Sequence, residues 1–189
     1  MRQRAAPLIV SLLILGCEAE PPAVVASSAQ PLTPARTAEV TEPAWTAPID
    51  REVESRLSNA ARSEVAKSPV PVLAPSNIAL ANNAIVTTGP VWAAVSATAD
   101  GVTFALHASK LAYKYGDIAP VDGDRVLRGA KGFVTAESNI WQASWSEGGV
   151  AYSLHVECAT AGDGRCADDK FLVDAVESLA HVGGRGARP

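Results

Sequence analysis

The chain has 189 residues with 16 Lys and Arg, 20 Asp and Glu, and a formal net charge of -4 at pH 7. An acidic balance argues against a nucleic-acid partner and against adhesion to anionic lipid through a basic patch. About 135 residues remain once the N-terminal region is set aside, which is enough for one core of ordinary size.

Residues 1–16 have the organisation of a signal peptide. Arg2 and Arg4 precede an apolar stretch from Ala5 to Leu15. This stretch is too short to cross a bilayer, because a spanning helix takes about 20 apolar residues. It has the length of the apolar core of a secretory signal, so we exclude it from the fold.

The signal ends in Ile14-Leu15-Gly16-Cys17, which resembles the lipobox of bacterial lipoprotein precursors. In that family a branched apolar residue lies three before the cysteine, a small residue directly precedes it, and the thiol receives a diacylglycerol. Leu15 departs from the smaller residue that is usual there. The alternative is an ordinary signal peptide that is cleaved elsewhere, with an incidental cysteine.

The lipobox resemblance implies that Cys17 becomes an acylated N-terminus and that the membrane is a partner through this anchor. Several acyl chains make such anchoring stable. Removal of residues 1–16 leaves 14 basic and 20 acidic side chains and a net charge of -6. Glu18 stands where an aspartate often signals retention in the inner membrane, so the resemblance favours the outer membrane, facing the periplasm of a bacterial envelope.

Residues 17–48 are predicted to be a disordered tether. The segment after Cys17 contains six of the 13 prolines and no glycine, and it has neither helical nor strand periodicity. Trp45 is its one aromatic residue, and we expect it to dock onto the domain. The domain itself is predicted over residues 49–184, and residues 185–189 are predicted to be a disordered tail.

The domain is predicted to begin with a helix capped by Asp50 and ended by Ser68-Pro69. "PVPVLAP" then suits only an edge strand. "VWAAVSATADGVTFALHAS" predicts a hairpin that turns at Asp100-Gly101. "RVLRGAKGFVTAE" is a further strand, and "IWQASWS" and "VAYSLHVE" form a second hairpin, whose clean alternation predicts one buried and one solvated face.

The domain is predicted to end with an amphipathic helix from Asp168 to His181, closed by Gly183-Gly184. The fold class predicted from these elements is α+β. We expect a single antiparallel sheet of about five to six strands, flanked by an N-terminal and a C-terminal helix.

Cys158 and Cys166 are left as an even pair in a chain with an export signal, which predicts a disulfide. The segment between them, "ATAGDGR", is rich in small residues and closes easily. A redox or metal pair is the alternative, but the spacing is not CxxC and His155 has no companion ligand.

The second half of the domain shows a further resemblance, carried by Trp145, the Gly148-Gly149 turn, Tyr152-x-Leu154 and a closing helix that ends in Ser178-Leu179. These features resemble the β-rich extracytoplasmic domains of membrane-anchored bacterial regulators, of the sigma-factor regulatory and sporulation type. The resemblance covers about 60 residues. It implies a sensor or binding module and carries over no functional residue.

No catalytic residue, cofactor or metal is predicted. His107, His155 and His181 lack a second ligand at metal-binding spacing. A triad built on His155 and a serine is conceivable in space, but there is no GxSxG elbow. Asp122-Gly123-Asp124 contains only a fragment of a calcium loop and is better explained as a turn.

Trp141 and Trp145 lie four apart in one strand and share a face. They are either core residues or the lining of an apolar or glycan-binding groove. We therefore predict a non-catalytic binding, sensing or structural lipoprotein of the envelope, whose partner is an unidentified envelope protein or small ligand. The alternative is a small envelope hydrolase with a site that only the fold would reveal.

Overall fold

A computed structural model describes residues 36–116, 118–119 and 121–185. The predicted signal peptide, the lipobox with Cys17, the first part of the tether and the end of the C-terminal tail lie outside the described residues. The strands are β1 (Arg36–Val40), β2 (Val72–Ala74), β3 (Ile85–Thr88), β4 (Trp92–Ala99), β5 (Val102–Ser109), β6 (Leu111–Tyr115), β7 (Arg125–Leu127), β8 (Ala130–Glu137), β9 (Ile140–Glu147), β10 (Val150–Cys158) and β11 (Ala180–Gly183). The α-helices are α1 (Arg51–Arg56), α2 (Asn59–Lys67), α3 (Ile78–Asn82) and α4 (Lys170–Glu177), and a 3₁₀ turn covers Gly164–Cys166.

Seven strands form one antiparallel sheet in the order β3-β4-β5-β10-β9-β8-β7. Two further pairs form separate antiparallel ribbons, β1 with β6 and β2 with β11. The predicted fold class is therefore wrong: the sheet is larger than expected, two ribbons accompany it, and four short helices replace the two expected ones.

Both predicted hairpins of the large sheet are confirmed. Strands β4 and β5 turn at Asp100 and Gly101, which both have positive φ. Strands β9 and β10 turn at Gly148 and Gly149. A two-residue turn with φ positive at both positions matches the twist of the flanking strands.

The predicted N-terminal helix is divided at Leu57 and Ser58. The Leu57 backbone is extended, and the Ser58 hydroxyl accepts a hydrogen bond from Ala61 N at 3.1 Å, which caps a new helix. Apolar spacing continues through the break, because Leu57, Ala61 and Val65 all reach the core. The apolar periodicity of the sequence therefore predicted a single helix where the structure has two, α1 and α2.

The predicted C-terminal helix is too long. Helix α4 ends at Glu177, and the chain then extends as β11, in which Ala180 pairs with Ala74 and His181 with Leu73. The paired residues of β2 and β11 are 106 to 111 positions apart in the chain, so no local pattern identified this pairing.

The core lies between one face of the large sheet and the layer formed by the helices and the β2–β11 ribbon. The predicted alternation of β10 is confirmed: Tyr152, Leu154 and Val156 are buried, whereas their neighbours are exposed or partly exposed. Phe104 and Leu106 of β5 face the same side. The opposite side of the sheet has no such layer among the described residues.

The last part of the predicted tether is structured. Residues 36–40 form β1, and Trp45 is only 5% exposed. The segment is held by hydrogen bonds from Ala44 N to Gly148 O at 2.8 Å and from Asp50 N to His181 O at 2.7 Å. A Cβ on Gly148 would lie 2.9 Å from the Trp45 ring, so this glycine is required by contact as well as by its positive φ. The prediction that Trp45 docks onto the domain is confirmed.

Arg128 joins the β7–β8 turn to the end of α4. Its guanidinium binds both carboxylate oxygens of Glu147, with Nε 2.7 Å from Oε2, and Nη1 donates to Leu179 O at 2.9 Å. Trp145 Nε1 donates to the same Glu147 carboxylate at 3.3 Å. This partly buried pair therefore fixes the helix against the sheet.

Cys158 Sγ and Cys166 Sγ are 2.09 Å apart, at disulfide-bond distance, as the sequence predicted. In the loop between them, Asp163 caps the 3₁₀ turn by accepting from Arg165 N at 2.9 Å. The Arg165 side chain also donates to Asp163, and these hydrogen bonds lower the pKa of Asp163 from 3.8 to about 2.

Candidate functional site

The face of the seven-stranded sheet opposite the core is the candidate functional site, and we call it the open face. Not one of its side chains is buried. They are Ile85, Thr87, Trp92, Ala94, Ser96, Thr98, Thr103, Ala105, His107, Ser109, Val126, Lys131, Phe133, Thr135, Glu137, Ile140, Gln142, Ser144, Ser146, Ala151, Ser153, His155 and Glu157.

The strand register orders these residues in rows across the sheet. One row runs Ala94, His107, Ser153, Ser144 and Phe133. The neighbouring row runs Ser96, Ala105, His155, Gln142 and Thr135. Directly opposite residues on one face touch, and diagonal residues are within reach of long side chains.

A hydrogen-bonded cluster lies at the centre of the open face. Gln142 Nε2 donates to Ser153 Oγ at 3.2 Å, and Ser153 Oγ lies 3.2 Å from His155 Nε2. Gln142 Nε2 also reaches Ser144 Oγ at 3.4 Å. The cluster is partly exposed on the sheet surface, and it presents hydroxyl, amide and imidazole groups to anything that covers the face.

An aromatic pair lies beside this cluster. The rings of Trp92 and His107 stack with their centroids 5.8 Å apart and an interplanar angle of 28°. A Cβ on Gly89 would lie 2.3 Å from Trp92 Nε1, so the indole occupies this position because residue 89 is glycine. The tryptophan is thereby held against the sheet while it remains partly exposed.

Charged groups are confined to the margins of the open face. Lys131, Glu137 and Glu157 lie on its outer rows, and the two central rows contain no charged side chain. Protein interfaces typically have a buried centre that is depleted of charged residues and a surrounding rim that is polar.

The three histidines have different environments. His107 is exposed and His155 partly exposed, both on the open face. His181 does not lie at a helix end: it is buried in β11, where Nδ1 lies 3.0 Å from Ala47 O and Nε2 lies 3.1 Å from Gly183 O. Across the described ranges, no group of three or more His, Cys, Asp or Glu is placed to hold a metal ion.

Trp141 and Trp145 share a face, as predicted, and it is the covered face. Trp145 is 3% exposed and stacks on Tyr152, with centroids 5.3 Å apart. Trp141 is partly buried, and its Nε1 donates to Cys166 O at 3.0 Å. Burial raises the pKa of Tyr152, whose hydroxyl donates to Pro71 O at 3.1 Å. Both indoles thus have packing roles, which corresponds to the core interpretation.

Sequence reasoning did not identify Trp92, Gln142, Ser144 or Ser153 as members of a site. Each stands at an alternate strand position, and their pairing depends on the register between strands distant in sequence. The only local signal was Ser153-x-His155, since residues two apart in a strand share a face.

Comparison with known proteins gives no match: no family model matches the sequence, no curated protein matches it, and no solved structure matches its fold. Within residues 36–185, apart from the positions not described, no helix has the length and apolarity needed to cross a membrane.

Proposed function

We propose that the chain is a lipid-anchored lipoprotein of the bacterial envelope whose domain binds an envelope protein through the open face. Cys17 would carry the acyl chains, and the domain would face the periplasm from the outer membrane. The lipobox at residues 14–17 supports the anchor. The observation that carries the binding role is the breadth of the open face, which has no covering layer in the described part of the chain.

The chemistry of the open face favours a macromolecular partner over a small ligand. A small molecule is usually held in a concave pocket that buries most of its surface. The cluster of Gln142, Ser153 and His155 instead lies on a sheet, where a second surface would cover it. Trp92 supplies an aromatic group at the side of the cluster, and tryptophan is enriched among residues that dominate binding energy.

Site-specific photo-crosslinking in cells tests this role. A photoreactive residue at Ser96, on the open face, should yield a discrete adduct, whereas one at Ser63, exposed on α2, should not. Ala105→Lys should abolish the adduct, because it buries an unpaired charge at the centre of the interface. The same crosslinked products from the probes at Ser96 and Ser63 would contradict binding through this face. An adduct that Ala105→Lys leaves unchanged would contradict it as well.

The anchor is tested separately. Cys17→Ser should leave the protein unprocessed or release it from the membrane fraction. Mass spectrometry of the wild-type N-terminal peptide should show acyl chains on Cys17. A free thiol there, with cleavage at another residue, would refute the anchor.

A second candidate function, an envelope hydrolase, is favoured by one observation: Ser153 Oγ lies 3.2 Å from His155 Nε2. This is the contact a nucleophile needs from its base. In the described hydrogen bonds no acid contacts His155 Nδ1, and the pair lies on an open sheet. His155→Ala should therefore weaken binding through the open face only in part, by about as much as His107→Ala, and should not abolish activity. A folded His155→Ala protein that lost all activity would favour the hydrolase over binding through the open face.

A further inference from the structure

The β1–β6 ribbon is amphipathic. Residues directly paired in an antiparallel ribbon share a face, and in this ribbon Ala38 pairs with Tyr113 and Val40 with Leu111. One face therefore carries Ala38, Val40, Leu111, Tyr113 and Tyr115, with Arg36 at its tip, and the other carries Thr37, Glu39, Ala112 and Lys114.

The apolar face of this ribbon is uncovered in the described part of the chain. Val40 is 51% exposed and Tyr113 is 47% exposed. The exposed apolar surface continues through Ile118 and Val121 to Phe133, and together with Tyr115 these residues line a groove of about 840 Å³, which Lys114 also borders. We call Val40, Tyr113, Tyr115, Ile118 and Val121 the ribbon patch; Phe133, at the end of the groove, belongs to the open face. Contiguous apolar surface of this kind marks an interaction site in a folded protein.

The charges around the patch suit a lipid surface. Lys114 is paired with Glu39, with Nζ 2.5 Å from Oε2, on the polar face of the ribbon. On the apolar face the charged residue is Arg36, whose guanidinium lies 4.7 Å from the centroid of the Tyr113 ring. Tyrosines beside a cation are typical of the boundary between lipid headgroups and acyl chains.

The position of the patch relative to the predicted anchor points to the same partner. Arg36 pairs with Tyr115 at the tip of the ribbon, and Cys17 lies 19 residues before Arg36. A segment of that length spans at most about 65 Å. The ribbon is thus the first described element that the chain reaches from an acylated Cys17, and its apolar tip lies where the anchoring segment joins the domain.

We infer that the ribbon patch inserts into the headgroup region of the bilayer that holds the anchor, an inference that rests on the proposed lipidation. The contact is apolar and needs no basic patch, so the acidic net charge of the chain opposes it only through long-range repulsion, which salt screens. It would supply a second attachment point beside the acyl chains and restrict how the domain is oriented at the membrane.

An environment-sensitive fluorophore at position 118 tests this. The lipidated protein is purified from membranes, with Ile118→Cys carrying the label, and placed in vesicles of phosphatidylethanolamine and phosphatidylglycerol. We expect a blue shift of the emission and quenching by nitroxides on the lipid acyl chains. The matched control is a label at Thr103→Cys, which is exposed on the open face in β5 and should keep an aqueous spectrum.

A second variant shows whether the patch causes the shift. Tyr113→Ser with Tyr115→Ser should abolish the shift at position 118 without changing the unfolding midpoint, because both rings are exposed. An aqueous spectrum at 118 in vesicle-bound protein whose Cys17 is acylated would overturn the inference and leave the proposed function intact. A Cys17 that carries no acyl chain would refute both the membrane insertion of the ribbon patch and the proposed lipid anchor. A shift that needs no vesicles and grows with protein concentration would overturn it in favour of a second copy of the chain.

Discussion

Trp45→Ala should destabilise the domain strongly, although the sequence places this residue in a tether. A buried tryptophan removes roughly 200 Å² of surface from water, which at about 25 cal/mol per Å² stabilises by about 5 kcal/mol. Within the described residues Nε1 has no hydrogen-bond partner, and an unpaired buried donor costs on the order of 2 kcal/mol. The expected loss is therefore about 3 kcal/mol, or roughly 6–12 °C in Tm.

Urea unfolding followed by circular dichroism measures this loss. Trp45→Phe should remain within about 1 kcal/mol of wild type, because it keeps the ring contacts with Tyr152 and His181 and removes the unpaired donor. Trp92→Ala is the matched control and should cost about 1 kcal/mol, since this indole is partly exposed. A Trp45→Ala protein within about 0.5 kcal/mol of wild type would mean that the segment is a solvated tether and that the reasoning is wrong.

Three further predictions concern stability. Alkylation of the native protein without reductant should modify neither Cys158 nor Cys166, and reduction should cost about 2.5 kcal/mol; two labelled thiols would contradict the pairing. Because the pKa of Asp163 is lowered to about 2, its stabilising contribution is present above pH 3.8 and is lost as the pH falls through about 2. The unfolding midpoints of wild type and Asp163→Asn should accordingly differ at pH 5 and converge as the pH falls below about 2. A difference between the two midpoints that stays constant with pH would contradict this. Arg128→Ala should cost about 3 kcal/mol in chemical denaturation because it leaves the carboxylate of Glu147 unpaired, and a loss no larger than that of Arg128→Lys would refute this role.

The parts of the fold that the sequence predicted are those with local signals. Asp100-Gly101 and Gly148-Gly149 each mark a turn between two apolar runs, and a hairpin joins strands that are adjacent in the chain. The alternation around Tyr152 similarly identified a strand with one buried face. These signals suffice for the hairpins β4–β5 and β9–β10, but not for the pairing of β5 with β10 that joins them at the centre of the large sheet.

The parts that were missed depend on pairing between distant segments. The sequence of β1, "RTAEV", does not by itself predict a strand. The segment is extended because it pairs with β6. The first residues of β11, Ala180 and His181, continue the apolar spacing of α4 and were therefore assigned to the helix. In both cases the long-range partner decided the conformation, and context of this kind overrides local propensity.

The candidate site was less predictable than the fold, and the reason lies in its composition. Serine, alanine and threonine at alternate strand positions carry no chemical signature, because the same residues occupy any solvated sheet face. Gln142 reaches Ser153 only because β9 and β10 pair with Ser144 opposite Ser153. A shift of one residue in that register would turn Gln142 toward the core and Trp141 toward solvent. The burial of Trp145 therefore specifies the register, and the register in turn creates the cluster on the opposite face.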